Sequence, residues 1–181
     1  RRRRAAISGG AGTGKTLLAL EKAKELADQG FETLLLCYNR LLGDQLNSIA
    51  GNIPNLSAMT FHQFCYRQIR QAATISGKDY EKLAEEDYPS EDYFSTRLPY
   101  ALWLSFDDVP EQGFDALIVD EGQDFSEMYW NVLEELLRNK DFCLYVFYDS
   151  NQMIYQAKPE IPIPGEPFVL TQDCRNTVAI H

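Results

Sequence analysis

The chain has 181 residues, a length that suits one domain or one domain with an inserted subdomain. A hydrophobic fraction of 45% with 12% aromatics is enough to fill a core, which excludes a disordered or low-complexity chain. The net charge is −10, and without Arg1 to Arg4 the remaining 13 basic residues face 27 acidic ones, so residues 5–181 carry −14, a balance that disfavours strong nonspecific binding to nucleic acid by this chain alone.

The four leading arginines read as a solvated tail, with a DNA contact as the alternative. They run into Gly9-Gly10 with no apolar stretch long enough for a signal peptide, and no apolar run reaches the ~18 residues of a membrane span. Cys37, Cys65, Cys143 and Cys174 are far apart and form no C-x-x-C pair, so they read as reduced thiols of a cytoplasmic protein rather than as a zinc site or disulfide framework.

Ala5 to Ser8 predicts a short buried strand before a glycine-rich turn. Residues 15–29 predict a helix with Ala19, Leu20, Ala23, Leu26 and Ala27 on one face, stopped by Gly30. Thr33 to Tyr38 has the continuous apolar run of a strand covered on both faces. Leu41 to Ile49 reads as a helix, Leu56 to Thr60 as a short strand and Phe61 to Ala73 as a helix. Residues 74–112 differ: seven acidic residues face Lys82 alone between Asp79 and Asp92, which predicts an exposed insertion, with a helix over Glu91 to Phe106. Ala116 to Val119 resumes the sheet, and a helix follows with Tyr129, Val132, Leu133, Leu136 and Leu137 on one stripe. Phe142 to Tyr148 is the next strand, residues 159–167 hold four of the eight prolines and predict an irregular connection, and Phe168 to Leu170 reads as a last strand. This alternation predicts an α/β fold, a parallel sheet with helices on both faces and its ligand at one edge.

Residues Gly9, Gly10, Ala11, Gly12, Thr13, Gly14, Lys15 and Thr16 fit G-x-x-x-x-G-K-S/T, the phosphate-binding P-loop, between a predicted strand and a predicted helix. Glycines let backbone N–H groups turn toward phosphates, and the helix adds its positive end. Lys15 supplies a point charge for the terminal phosphates and Thr16 a hydroxyl ligand for Mg²⁺. Farther along, the apolar strand Ala116 to Val119 ends in Asp120 and Glu121. In a P-loop fold the first acid at such a strand tip serves Mg²⁺ and the second orients and deprotonates the attacking water, so the pair points to NTP hydrolysis rather than phosphoryl transfer to a metabolite. Asp124 and Glu127 also have the spacing of a helix-capping pair.

With those residues in place the chain resembles the superfamily 1 helicases of the UvrD/Rep-like group. Asp120-Glu121-Gly122-Gln123-Asp124 resembles their motif II, D-E-x-Q-D. Asp149-Ser150-Asn151-Gln152-Met153-Ile154-Tyr155 resembles motif III, and Leu170 to Thr177, with Arg175, resembles motif IV. Cys37-Tyr38-Asn39-Arg40 stands in the place of motif Ia, and Met59 to Phe64 resembles motif Ib. The resemblance implies a RecA-like P-loop NTPase domain that binds ATP and Mg²⁺. It implies that Gln152 senses the γ-phosphate, that Arg175 reaches it, and that Tyr38, Asn39, Thr60, Phe61, His62 and Tyr155 touch single-stranded DNA. Aromatic faces stack on bases without demanding a sequence, although Tyr38 and Phe61 also suit a core, and His62 suits a hydrogen-bonded structural role.

Motifs V and VI and a second RecA-like domain are not in this sequence, so the expectation is the first motor domain of a longer protein, nearly inactive by itself. The acidic insertion stands where the family carries its subdomain 1B. Two other readings compete: a DNA-independent regulatory P-loop NTPase, which the −14 balance favours, and a non-catalytic nucleotide-binding module of a DNA-repair or defence assembly, against which an intact Glu121 argues.

Overall fold

Six strands run parallel, and among the described residues four of them are followed by helices that carry the chain back across the sheet. The computed structural model describes residues 3–109, 114–136, 142–152 and 161–171. Within them β1 (Arg4–Gly9), β2 (Thr33–Cys37), β3 (Leu56–Thr60), β4 (Ala116–Val119), β5 (Cys143–Tyr148) and β6 (Phe168–Leu170) form one sheet in the order β3-β2-β4-β5-β1-β6. Every pairing in it is parallel. The strands correspond to the predicted ones within a residue or two at their ends.

The sheet has two dry faces, and strand alternation decides which residue meets which. Leu34, Leu36, Leu117, Val119, Leu144 and Val146 point to one face, under α3 (Phe61–Ser76), α5 (Leu98–Ser105) and α6 (Glu127–Leu136). Leu35, Cys37, Ile118, Cys143 and Phe147 point to the other, under α1 (Lys15–Asp28) and α2 (Arg40–Ala50). All five apolar positions predicted for the inner face of α1 are buried. Gly30, at φ +86°, ends that helix as its sequence position predicts. Cys37, Cys65 and Cys143 are buried free thiols. No helix among the described residues is long and apolar enough to cross a membrane.

Residues 74–109 depart from expectation. Their acidic outer surface is exposed, but Tyr80 and Ala84 of α4 (Tyr80–Asp87) and Leu98, Ala101 and Leu102 of α5 belong to the same buried cluster as α3 and α6. The segment is half core. Acidic residues dominate its composition, and the apolar minority occupies the inner positions. The helix expected from Glu91 begins instead at Tyr93, as a π-helical turn (Tyr93–Arg97) that leads into α5. Pro99, in the first turn of α5, has no N–H to donate and crowds the carbonyl four residues back, which favours a widened turn just before it.

A second correction concerns the start of α6. The backbone N–H of Tyr129 donates to the Ser126 hydroxyl at 3.4 Å, so Ser126 caps this helix. Asp124 lies in a 3₁₀ turn (Gly122–Asp124) one step earlier. Leu137 lies outside the described residues.

Candidate active site

Parallel pairing brings the ends of distant strands to one edge. The register sets Cys37 beside Thr60, Leu36 beside Val119, Val119 beside Val146 and Ser8 beside Tyr148. The segments that follow these strands, 9–16, 38–40, 60–62, 120–124 and 149–152, therefore share the carboxyl edge of the sheet, where open α/β sheets bind ligands.

The phosphate loop is shaped by close approach. A Cβ on Gly9 would stand 2.5 Å from Thr13 Oγ1 and 3.0 Å from Leu170 Cβ, so only glycine fits. Gly14 caps α1 in the left-handed region, at φ 82° and ψ 19°, and no side chain caps that end. The first-turn amides of α1 are left without intrahelical acceptors, which is the arrangement that receives anions. The Thr13 hydroxyl donates to Gly10 O at 2.9 Å. Lys15 is 6% exposed, and its Nζ donates to Gly9 O and Gly10 O, each at 3.0 Å. The same ammonium lies 3.9 Å from Asp149 Oδ2, and Asp149 is 2% exposed.

Asp120 is completely buried, and neither carboxylate oxygen has a full hydrogen bond. Burial is the largest cause that pushes its carboxyl up to about 6, and the Thr16 hydroxyl beside it works in the opposite direction. A buried carboxylate with both oxygens unpartnered, next to a hydroxyl and a cationic lysine, fits an Mg²⁺ ion, an oxygen-seeking cation that supplies the missing compensation. Thr16 and Asp120 are thus the residues suited to hold the metal. The Cys37 thiol behind them is pushed up to about 12, by burial first and then by Asp120, Asp44 and Glu121, so it is inert at neutral pH.

Glu121 adopts φ 54° and ψ 47°, a left-handed conformation that a non-glycine residue holds only under constraint. The constraint is visible on both sides. A Cβ on Gly122 would stand 2.6 Å from Val146 Cγ1, so the chain passes tight against β5. The Gln123 amide nitrogen donates to the Glu121 carboxylate and, at 3.5 Å, to Gln152 Oε1. Gln123 Oε1 accepts from the backbone N–H of Asp149 at 2.9 Å, and Gln152 Nε2 approaches Asp149 Oδ2 at 3.4 Å. Lys15, Asp149, Gln152, Gln123 and Glu121 form one linked set across three loops. A cleft of about 640 Å³ opens beside it, lined by Gly12, Lys15, Thr16, Glu121 and Gln152, with Leu42 and Ile49 on its α2 wall.

Gln123 and Asp149 are the linking positions of this set that sequence reasoning missed. Both lie inside recognised motifs, but no spacing rule says that a glutamine two residues past Glu121 would hold the third-motif loop. Arg175 and Tyr155 lie outside the described residues, as do Met153 and Ile154.

The residues expected to touch DNA divide. Phe61 is completely buried, stacked on Tyr129 at 4.1 Å between ring centroids, and Thr60 is 4% exposed. Thr60 and Gln63 form a capping box at the start of α3: the Gln63 N–H donates to Thr60 Oγ1 at 3.1 Å and the Thr60 N–H donates to Gln63 Oε1 at 2.8 Å. These two side chains build the core and the helix start rather than an exposed face. Tyr38 is 41% exposed, and Asn39 is exposed and caps α2 by accepting from the Leu42 N–H at 3.2 Å. The half-buried His62 ring lies 5.4 Å from Tyr38 and 5.2 Å from Phe94, whose ring is 49% exposed. Tyr129 has one hydroxyl proton, which it donates to Phe94 O at 3.0 Å. His62 Nε2, 2.9 Å from that hydroxyl, must then carry a hydrogen and donate. Burial lowers the His62 pKa and favours the neutral ring. Tyr38, His62 and Phe94 make an aromatic ledge at the same sheet edge. Phe94, from the insertion, was not anticipated.

The family comparison agrees with this geometry. The AAA domain family (AAA_19) matches residues 1–158. No curated protein matches the chain. Among solved structures, the crystal structure of Pif1 helicase from Candida albicans is similar at 15% identity and a TM-score of 0.49, over 93% of this chain and 36% of that one. The chain spans little more than a third of that structure's length. With a parallel sheet, a glycine-bound phosphate loop and an acidic strand tip across from it, this chain belongs to the AAA domain family and is an α/β P-loop NTPase domain.

Proposed function

We propose that this domain is the ATP-binding and hydrolysing motor domain of a superfamily 1 DNA helicase or translocase. The observation that carries the reading is the linked set from Lys15 through Asp149 and Gln152 to Gln123 and Glu121. It connects the group that holds phosphate, the carboxylate that handles water and a loop at the sheet edge that also bears the aromatic ledge. When bound, Mg²⁺ supplies positive charge to the phosphates of ATP. Thr16 and Asp120 hold it, Lys15 and the loop amides bind the phosphates, and Glu121 orients the attacking water and takes its proton. Gln152 and Asp149 report to the loop whether the phosphate site is filled. Tyr38, Asn39 and His62, with Phe94, take single-stranded DNA by stacking and polar contact.

The carboxylate-rich outer surface supports a modest nucleic-acid footprint confined to this ledge. A second RecA-like domain in the longer protein completes the ATP cleft, and Arg175 reaches the γ-phosphate from the motif IV side. Without that partner domain residues 1–181 bind ATP weakly and turn over little, since a missing arginine finger costs ~10³–10⁵ in rate. The buried free thiols support a reducing, cytoplasmic setting.

The test is steady-state ATP hydrolysis by the full-length protein with and without single-stranded DNA, and with Glu121→Gln as control. Stimulation by DNA that disappears in the control is the expected result. Hydrolysis indifferent to DNA would select the regulatory NTPase, and absence of hydrolysis in the wild type the non-catalytic module.

A further inference from the structure

The insertion carries a second aromatic cluster, far in chemistry from the nucleotide cleft. Helix α5 is apolar on nearly all sides, and its core face is Leu98, Ala101, Leu102 and Ser105. Tyr100 and Trp103 lie on its outer stripe, three residues apart. Their rings stack at 5.6 Å and 18°, and Tyr88 meets Tyr100 edge-on at 4.8 Å and 79°. Trp103 is 46% exposed and Tyr88 37%. The Tyr100 hydroxyl donates to Asp87 Oδ2 at 2.9 Å, which holds a carboxylate at the edge of this ladder.

The charge around the ladder is one-sided. Residues 78–108 contain nine acidic and three basic side chains, an excess of six negative charges. Each of the three cations is already matched within the segment: Lys78 with Asp108 at 2.6 Å, Lys82 with Glu86 at 3.9 Å and Arg97 with Glu85 at 3.1 Å. A groove of about 680 Å³ runs beside α4, lined by Asp79, Glu81, Lys82, Glu85, Tyr93 and Arg97, three carboxylates against two cations, with Glu85 already paired to Arg97. Glu81 and Glu85 lie one turn apart on α4, and Tyr88 follows directly after the helix end, which joins this side of α4 to the ladder.

We infer that the outer face of α4 and α5 is a docking surface for a basic segment of a partner protein, with its Lys or Arg side chains received by the Tyr88–Tyr100–Trp103 ladder and the excess carboxylates of the segment around it. Charge complementarity identifies the occupant. Carboxylates in excess repel nucleic-acid phosphates and attract cations. An indole face with a tyrosine stacked beside it is the best aromatic surface for a guanidinium or ammonium group. Exposed Trp and Tyr rimmed by charge are also the composition of interface anchors. The inference does not depend on helicase activity.

The experiment uses a fluorescein-labelled peptide of alternating arginine and glycine, followed by anisotropy at physiological ionic strength. Saturable binding is expected, weakened about tenfold by Trp103→Ala and similarly by Tyr88→Ala. The Glu81→Gln variant should weaken it further and flatten its salt dependence. Both aromatic sites are exposed, so thermal midpoints should stay at the wild-type value. No binding to the wild type overturns the inference. So does binding indifferent to Trp103→Ala, which would mean diffuse charge attraction only. A labelled oligothymidine that binds the wild type and is lost in Trp103→Ala would also overturn it, assigning the face to nucleic acid.

Discussion

The side-chain oxygen of Gln123 accepts a hydrogen bond from the backbone N–H of Asp149 at 2.9 Å, and the other half of the same amide reaches Glu121 and Gln152. One buried glutamine thereby holds the Glu121 carboxylate in register with the loop that carries Asp149 toward Lys15. Glu121 needs this support because its backbone is in the left-handed region.

Replacing Gln123 with Ala should separate binding from chemistry. The variant leaves the Asp149 N–H unpaired, which costs ~1–3 kcal/mol of stability. ATP affinity should change little, while turnover of the full-length protein should fall by about tenfold or more because Glu121 loses its orientation. Equilibrium nucleotide binding and single-turnover hydrolysis, measured on the same preparation, check this. Equal losses in both would show that Gln123 only stabilises the fold.

Asp120 makes the ligand-free domain less stable than it need be. Its folded carboxyl sits at about 6 against an ordinary 3.8, so the folded state holds the proton more tightly than the unfolded chain does. The destabilisation is absent below about pH 4, grows as pH rises to about 6 and is complete above that, at ~3 kcal/mol. Asp120→Asn should raise the thermal midpoint of the ligand-free protein at pH 7.5 and remove this pH dependence. It should also abolish the added stabilisation by Mg²⁺ with ATP. Thermal denaturation from pH 4 to 8 reads all three effects.

Gly9→Ala should destroy the phosphate loop without a change of charge. The new methyl meets Thr13 Oγ1 at 2.5 Å and Leu170 Cβ at 3.0 Å; Thr13 Oγ1 can turn away only by giving up its bond to Gly10 O, and Leu170 Cβ moves only with its backbone. Overpacking of this kind costs ~1–3 kcal/mol. ATP binding measured by calorimetry should disappear while far-ultraviolet circular dichroism stays near wild type at low temperature.

Tyr38 and Phe61, both candidates for base stacking from sequence, should now behave oppositely. Tyr38→Ala should leave thermal stability almost unchanged and weaken single-stranded DNA binding by the full-length protein about tenfold, the worth of one stacked base. Phe94→Ala should act in the same direction. Phe61→Ala removes a completely buried ring packed on Tyr129 and should cost ~3–5 kcal/mol of stability. A Phe61→Ala variant of normal stability and weak DNA binding would restore the original expectation.

Local chemistry explains what the sequence alone determined. The phosphate loop is a run of adjacent residues, and its glycines are required by backbone geometry that any reader of Gly9 to Thr16 can anticipate. Strands buried on both faces announce themselves as continuous apolar runs, as in Thr33 to Cys37 and Ala116 to Val119, and parallel order then sends their tips to one edge. Side-chain direction and long-range partnership were decided only by the tertiary structure. Phe61 turned inward because Thr60 and Gln63 commit that point to a helix start, which rotates residue 61 under α6. Gln123 gained its role because β5 lies beside β4 and brings Asp149 within reach. The insertion became half core because Leu98, Ala101 and Leu102 found α3 and α6, a pairing that its acidic composition concealed. Helix α5 is apolar all round, so no periodicity could say which side would face water. Packing against α3 and α6 chose Leu98 and Leu102 for full burial and left Tyr100 half-buried and Trp103 exposed.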